Sequence, residues 1–189
     1  MSKLNKEKLL QEIREKGVEI SSINDLMKID KNYKDLVPII LQHLQQITDE
    51  GDKQFLVRCL GVKGFDEATE PLINEFLNSS NVSYKWAIGN TLYNIMNKGA
   101  LNILLKIAQE KKHGIARQMI VLAIGKMGDQ KVIPVLLGLL NDEDVTGHVI
   151  TALSNFKDAT LIPHIEPFMK HKVNWISGEA KKTIKKLGK

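Results

Sequence analysis

The chain has 189 residues, of which 43% are apolar, 26% charged and only 5% aromatic, a composition typical of a soluble globular protein and not of a disordered one. Its single cysteine excludes an intramolecular disulfide, and no run of about 18 apolar residues could cross a membrane. The first nineteen residues carry nine charges and lack the apolar stretch of a signal peptide, so we expect a cytoplasmic protein with no membrane contact.

The formal net charge of +5 originates at the C-terminal end of the chain. Residues 170–189 contain seven lysines and only one acid, Glu179. Only three of the 27 basic residues are arginines, whereas proteins that read nucleic-acid grooves favour the rigid bidentate fork of arginine. We therefore interpret the lysines as a solvated surface that complements the dipole of a final helix.

Residues 1–32 are predicted to form an N-terminal helical cap. An amphipathic helical pattern covers residues 4–16, and a second, short helix is predicted to begin after Ser22. The segment from Ser22 to Asp25 has the spacing of a capping box, in which the two end residues satisfy each other's backbone N–H groups.

A repeat organises residues 33–189, which we expect to form a single domain. In three segments an aspartate is followed five residues later by proline and then by apolar residues; these aspartates are Asp66, Asp129 and Asp158. With weaker matches at Pro38 and Asn102, the marker positions recur every 29 to 33 residues, which is the signature of a repeat architecture.

Each repeat is predicted to be a pair of helices. Apolar residues recur at helical intervals twice within each repeat, with a polar break between the two runs, and no stretch alternates as a strand would. The proline falls in the first turn of the leading helix, where its missing N–H is harmless. The predicted pairs cover residues 33–63, 67–96, 98–127, 130–156 and 159–187.

These features resemble HEAT-like repeats, particularly the short type named after phycobilisome lyases. The resemblance covers residues 33–187 and is closest over 114–187, where the trailing helix 115–129 and the loop 141–145 follow the pattern. It implies an all-α, right-handed solenoid of about five helix pairs whose trailing helices line a concave face that holds another macromolecule. The chain departs from the pattern at Asn102, which replaces proline, and at Thr146 and Ser177, which replace arginine.

The trailing helices align on five apolar residues that we expect to be buried: Leu60, Leu92, Ile124, Leu153 and Ile184. Seven residues before each of these lie Lys53, Lys85, Arg117, Thr146 and Ser177. The three cations have two interpretations. In the family that the chain resembles, this position commonly pairs with an acid near the preceding loop, which implies a ladder of partly buried ion pairs with loop acids such as Asp52, Asp142 and Asp144. The alternative is an exposed basic track for phosphates.

An aromatic stripe marks a second candidate surface. Trp86, Asn90 and Tyr93 are spaced i, i+4 and i+7 and therefore share one helix face, which would suit an anchor for a partner. The alternative is that Trp86 fills the groove between neighbouring repeats. The complete predicted partner-binding set, expected on the concave face, is Lys85, Trp86, Asn90, Tyr93, Arg117 and Gln118.

The sequence predicts no catalytic residue, no cofactor and no metal site. The five histidines are scattered, none precedes Glu as the di-iron hydroxylases built on such repeats require, and neither His-Glu-x-x-His nor Cys-x-x-Cys occurs. Cys59, beside Leu60, is interpreted as a buried thiol, and Trp175 is expected to pack on Pro167 and Phe168. Four glycines are interpreted as helix C-terminal residues: Gly61, Gly64, Gly125 and Gly128.

We therefore expect a non-enzymatic scaffold or adaptor that binds a protein partner on its concave face. The alternative is a nucleic-acid-binding repeat protein, including one of DNA-glycosylase type. The segment from Lys85 to Gly89 faintly resembles a helix of helical-repeat glycosylases, but Asn90 stands where an acid would be needed. A third interpretation, an accessory protein that handles a tetrapyrrole, is supported only by the name of the repeat type.

Overall fold

The computed structural model describes all 189 residues and contains helices but no strand. The α-helices are α1 (Lys6–Glu15), α2 (Val37–Gln46), α3 (Glu50–Cys59), α4 (Thr69–Asn78), α5 (Val82–Ile95), α6 (Leu101–Gln109), α7 (Gln118–Met127), α8 (Ile133–Gly138), α9 (Thr146–Leu153), α10 (Ile162–Ile165) and α11 (Asn174–Leu187). Short 3-10 helices cover Ile23–Lys28, Lys31–Leu36, Asp66–Ala68, Lys98–Ala100, Lys111–Arg117, Gln130–Val132, Ala159–Leu161 and Glu166–Lys170. The all-α prediction is confirmed, and each predicted pair contains its two helices.

The chain divides into two compact units, residues 1–97 and 98–189. The first unit contains α1 and the pairs α2–α3 and α4–α5, and the second contains the pairs α6–α7, α8–α9 and α10–α11. A boundary between residues 32 and 33 stays a prediction, and α1 packs on α2 within the first unit. None of the helices has the length and apolarity that spanning a bilayer would need.

The aspartate and proline of the repeat start two of the leading helices, α8 and α10, in two steps. Asp129 caps a 3-10 turn by accepting a hydrogen bond from the Lys131 N–H at 3.0 Å, and Pro134 then lies in the first turn of α8. Asp158 does the same for the Thr160 N–H at 2.9 Å, before α10. In both cases the aspartate accepts a hydrogen bond from an N–H group at the start of the 3-10 turn, which has no backbone partner within that turn.

The last leading helix, α10, is only four residues long. α10 ends at Ile165 and continues as the 3-10 segment Glu166–Lys170, which has Pro167 in its first turn. Proline cannot donate the i→i−4 hydrogen bond that an α-helix would require at that point, so the helix tightens or breaks there.

Four of the five aligned core residues are buried as predicted: Leu60, Leu92, Ile124 and Leu153. The prediction for Ile184 is wrong, because this side chain is partly exposed while Thr183 and Leu187 on the same helix are buried. α11 packs on α9 and on the 3-10 segment Glu166–Lys170 before it.

A threonine one residue before the aligned position ties trailing helices together at two places. The Thr91 hydroxyl on α5 donates to the Val57 carbonyl of α3 at 3.0 Å. The Thr183 hydroxyl on α11 donates to the Ile150 carbonyl of α9 at 3.3 Å. Both threonines are buried, so each contact satisfies a hydroxyl that would otherwise be desolvated without a partner.

Two of the predicted helix-terminal glycines have different roles. Gly128 adopts a left-handed conformation (φ 72°) and ends α7 as predicted. Gly125 lies inside α7 instead, and a Cβ atom there would come within 2.5 Å of the Ala152 Cβ on α9. The missing side chain therefore sets how closely these two trailing helices approach.

The N-terminal cap holds the first helix pair by backbone contacts. The Ser2 carbonyl accepts from the N–H groups of Thr48 and Asp49 at 2.9 and 3.0 Å, at the start of α3. The predicted capping box is confirmed, because the Ser22 N–H donates to the Asp25 carboxylate at 3.0 Å. These contacts pair donors at helix N-termini that have no partner within the helix.

Deleting residues 157–189 is expected to lower stability markedly. The deletion removes α10 and α11, so Leu153 and Phe156, both buried in the intact chain, lose their cover. Because repeats contact only their neighbours, the remainder should stay helical while unfolding at a lower urea concentration. Circular dichroism during a urea titration measures this, and a truncated chain with an unchanged midpoint would contradict it.

Candidate partner-binding surface

Arg117, at the start of α7, is the centre of a buried ion-pair network in the second unit. Its side chain is fully buried. Nη1 donates to Asp142 Oδ2 at 2.9 Å and to the Ala108 carbonyl at 3.1 Å, Nε donates to the Gly114 carbonyl at 3.0 Å, and Nη2 lies 3.3 Å from Asp144 Oδ2. The rigid fork of guanidinium donors suits such a site, which a lysine could not satisfy equally well.

The loop between α8 and α9 is shaped to hold this guanidinium. Asp142 Oδ1 accepts from the Asp144 N–H at 3.2 Å, and the Asp142 carbonyl accepts from the N–H of Thr146 at 2.8 Å. Burial raises the pKa of Asp142, but the hydrogen bond and charge of Arg117 more than offset this, so the pKa lies below its ordinary value. Asp142 is therefore the charged partner of Arg117 at neutral pH.

Lys53, one of the two cations of this column in the first unit, makes a similar but less buried contact. Its Nζ lies 2.8 Å from Glu75 Oε2 on α4 and 5.4 Å from the centre of the Tyr84 ring. The Tyr84 hydroxyl also donates to Glu75 Oε2 at 2.8 Å. Burial, together with the hydrogen bond and charge of Glu75, raises the pKa of Tyr84. Lys53, like Arg117, thus pairs with an acid of the following repeat.

Of the three remaining members of the column, Lys85 and Thr146 are buried and Ser177 is partly exposed. Lys85 is buried with its Nζ 4.6 Å from the centre of the Phe76 ring. Thr146 is buried and its hydroxyl donates to the Asp142 carbonyl at 2.8 Å, while the Ser177 hydroxyl donates to the Asn174 carbonyl at 3.2 Å. Burial and pairing agree with the ladder interpretation, because a phosphate track would need exposed cations.

The ladder nevertheless differs from its prediction in two respects. The expected acids lay near the preceding loop, whereas Arg117 pairs with Asp142 and Asp144 in a loop of the following repeat, and Asp52 does not pair with Lys53. The Asp52 carboxylate accepts from the Leu4 N–H at 2.8 Å and so holds the N-terminal segment. The acid that Lys53 uses, Glu75, lies on a helix and was missed because sequence spacing within one repeat does not indicate contacts with the next.

The predicted aromatic stripe lies on the less buried face of α5. Neighbouring residues of this helix face the core, whereas Trp86 is 37% exposed and Asn90 and Tyr93 are partly exposed. The three side chains follow the i, i+4, i+7 spacing and therefore form one stripe, which we call the α5 stripe.

Only some of the predicted partner-binding residues lie at the surface. Lys85 and Arg117 are buried, so their side chains are not available at the surface; this corrects the expectation that they contact a partner. Gln118 is partly buried in the second unit, where its side-chain amide donates to the Asp144 carbonyl at 2.9 Å. The α5 stripe, in the first unit, keeps its surface position.

Trp175 packs on α9. A Cβ atom at Gly147 would overlap the Trp175 indole, and the His148 ring meets it edge-on at 5.4 Å between centroids. Phe168, one of its expected neighbours, stacks on His171 at 6.3 Å between ring centroids, and the expected packing of Trp175 on Pro167 and Phe168 stays a prediction. Sequence periodicity gave no signal for the Gly147 contact, which depends on how α11 crosses α9.

The single cysteine of the chain lies in the core. Cys59 is buried with its thiol 3.6 Å from the Met27 sulfur, and burial raises the pKa of the thiol to about 12, so it stays protonated and unreactive at neutral pH. No group of three or more His, Cys, Asp or Glu side chains comes together in a way that could hold a metal ion.

Comparison with known proteins agrees with this architecture. Residues 104–185 match the HEAT repeats family. These residues, less than half of the chain, are therefore similar to HEAT repeats, while HEAT-like repeats over the whole chain and the phycobilisome-lyase type stay predictions. The crystal structure of an engineered protein, a Northeast Structural Genomics Consortium target, is 16% identical with a TM-score of 0.53, over 96% of this chain and 89% of that one. This likeness concerns the fold alone. No curated protein sequence matches the chain.

Proposed function

We propose that the protein is a non-enzymatic cytoplasmic scaffold that binds a protein partner through the α5 stripe, on the side expected to be concave. HEAT repeats generally serve as protein-interaction scaffolds. The observation that carries the proposal is Trp86, a large aromatic residue that is 37% exposed on a helix whose other faces are buried.

The α5 stripe has the composition of an interaction anchor. Tryptophan and tyrosine provide large contact areas and dominate the energetics of many interfaces. Their position on a packed helix means that little backbone freedom is lost on binding, which favours affinity. The amide of Asn90, between the two rings, can both donate and accept a hydrogen bond and so can orient a partner's backbone.

Trp86→Ala is expected to weaken partner binding by about 1–3 kcal/mol, and Tyr93→Ala by a similar amount, because hot-spot aromatics contribute in this range. Unfolding midpoints should change little. The matched control is Tyr33→Ala, since Tyr33 is an aromatic residue of the same unit with the same 37% exposure. Calorimetric binding and thermal melting on the same samples measure both effects.

The packing alternative for Trp86 makes the opposite prediction. If the ring mainly fills a groove between repeats, its removal should destabilise the fold by about 3–5 kcal/mol, and binding should fall only through unfolding. A strongly lowered melting temperature in Trp86→Ala would therefore refute the proposed surface.

Affinity capture from an extract of the native cell, with and without nuclease, tests the class of partner. We expect the intact chain and Tyr33→Ala to retain the same protein whether or not nuclease is present, and Trp86→Ala to lose it. Capture that disappears after nuclease treatment would favour the nucleic-acid alternative instead.

A further inference from the structure

The C-terminal part of the second unit exposes an unusual cluster of apolar residues. Met169, Val173 and Trp175 are 38%, 36% and 49% exposed, and they lie within seven residues of one another around the turn between α10 and α11. Three consecutive basic residues lie between Met169 and Val173: Lys170, His171 and Lys172. Trp175 is held in place by α9, so its exposed part is presented rigidly.

Lysines extend this cluster along the outer side of α11. The helix buries Ile176, Ala180, Thr183 and Leu187 on one side. At 100° per residue, the exposed Lys181, Lys182 and Lys185 project on the opposite side. Lys181 also shares a surface groove with Met169 and Lys170. We call Met169, Lys170, Val173, Trp175, Lys181, Lys182 and Lys185 together the basic face.

Few acids compensate these lysines. Lys182 pairs with Glu179 at 2.7 Å, Lys172 lies 3.9 Å from Glu143, and Glu166 lines the groove. The second unit as a whole contains fifteen lysines and arginines against eight aspartates and glutamates, whereas the first has twelve against fourteen. The positive potential is therefore concentrated in the unit that carries the exposed apolar cluster.

This combination favours a lipid surface over other polyanions. Lysines attract anionic headgroups without needing fixed geometry, and tryptophan prefers the interfacial region of a bilayer. Burying exposed methionine and valine side chains at the headgroup boundary is favourable, because it removes their apolar surface from water. A nucleic-acid backbone would use the lysines but gains little from these two side chains, and the basic face contains no arginine for reading bases.

We propose that the basic face binds the surface of membranes that contain anionic phospholipids, with the segment 169–175 entering the interface and α11 lying against the headgroups. The binding is peripheral and reversible, and it is compatible with the absence of a membrane-spanning helix. It is independent of the α5 stripe, so the two proposals can fail separately.

Cosedimentation of the full chain with vesicles tests the proposal. Vesicles of equimolar phosphatidylcholine and phosphatidylserine should bind the protein, vesicles of phosphatidylcholine alone should not, and added salt should weaken the binding by screening. The triple variant Lys170→Gln, Lys181→Gln, Lys185→Gln should bind about 100-fold more weakly, at about fivefold for each lysine near an anionic surface.

A charge-matched variant shows whether position matters. Lys31→Gln, Lys34→Gln, Lys63→Gln removes the same three charges from exposed positions of the first unit and should bind as the parent does. A second variant, Met169→Ser, Val173→Ser, keeps every charge but should bind more weakly than the parent. Equal losses in the two lysine variants would overturn the proposal, because attraction would then follow net charge alone.

Trp175 reports directly on the contact. In a Trp86→Phe background it is the only tryptophan, so its emission should shift to shorter wavelength and resist aqueous quenchers when phosphatidylserine vesicles are added. Binding without this shift would show that the segment 169–175 stays outside the interface and would refute the proposed orientation. Failure to bind vesicles, including the case where the same lysines bind an oligonucleotide instead, would overturn the proposal as a whole.

Discussion

Arg117→Met is expected to lower the free energy of unfolding by about 3–5 kcal/mol, because removing one partner of a buried ion pair leaves the other charge uncompensated. The variant loses the donors that hold Asp142, Asp144 and the carbonyls of Ala108 and Gly114. Methionine fills much of the volume of the arginine side chain, so the lost stability comes mainly from the missing charge and hydrogen bonds. Urea unfolding at neutral pH measures it.

Lys53→Met is the matched control, since Lys53 occupies the same repeat position in the first unit. Its pair with Glu75 keeps about a quarter of each side chain in contact with solvent, at 22% and 25%. Such pairs contribute about 1 kcal/mol or less. Equal losses in the two variants would contradict the distinct role given to burial at Arg117.

The pH dependence gives a second check on Arg117. Because the pKa of Asp142 is lowered in the folded protein, the stability that its pair with Arg117 contributes is complete above the ordinary carboxyl pKa and is lost as the pH falls through the lowered value. In Arg117→Met, the largely buried Asp142 carboxylate has no charged partner, so protonation removes its unpaired charge and offsets part of the lost stability. The stability difference between parent and variant should therefore shrink on acidification, and a constant difference would contradict the electrostatic account.

Gly125→Ala is expected to destabilise the protein by about 2 kcal/mol. The added Cβ would lie 2.5 Å from the Ala152 Cβ and 2.9 Å from its Cα, so the helices α7 and α9 must move apart. Overpacking of this kind costs about 1–3 kcal/mol or more, which exceeds the gain of about 1 kcal/mol in helix propensity. Thermal and urea unfolding of the variant measure the net effect.

Gly178→Ala provides the control for Gly125. Gly178 lies inside α11, and no atom lies within 4 Å of the position of a new Cβ. The substitution should therefore only stabilise the protein, by the difference in helix propensity between alanine and glycine, which is about 1 kcal/mol or less. The double variant Gly125→Ala, Ala152→Gly restores space at the crossing and should recover part of the lost stability. If Gly125→Ala and Gly178→Ala were equally stabilising, the close approach of α7 and α9 would not be a constraint.

The helix pairs and much of the core were predictable from the sequence alone. The repeat spacing, the aspartate and proline at the start of leading helices, and the capping box at Ser22 are all readable within one or two helical turns. Burial of Leu60, Leu92, Ile124 and Leu153 follows from the same periodicity, because side chains at helical intervals share one face. The α5 stripe was predictable for the same reason.

The contacts between helices were decided only by the tertiary structure. Arg117 was recognised as a cation in a column, but whether it reached solvent or Asp142 depended on the path of a loop in the next repeat. Gly125 was interpreted as a helix-end residue and Gly147 drew no prediction, yet the helix crossings place Ala152 against the first and Trp175 against the second. Periodicity states which face of a helix is buried, but crossing angle and distance determine which residue of the neighbouring helix covers it.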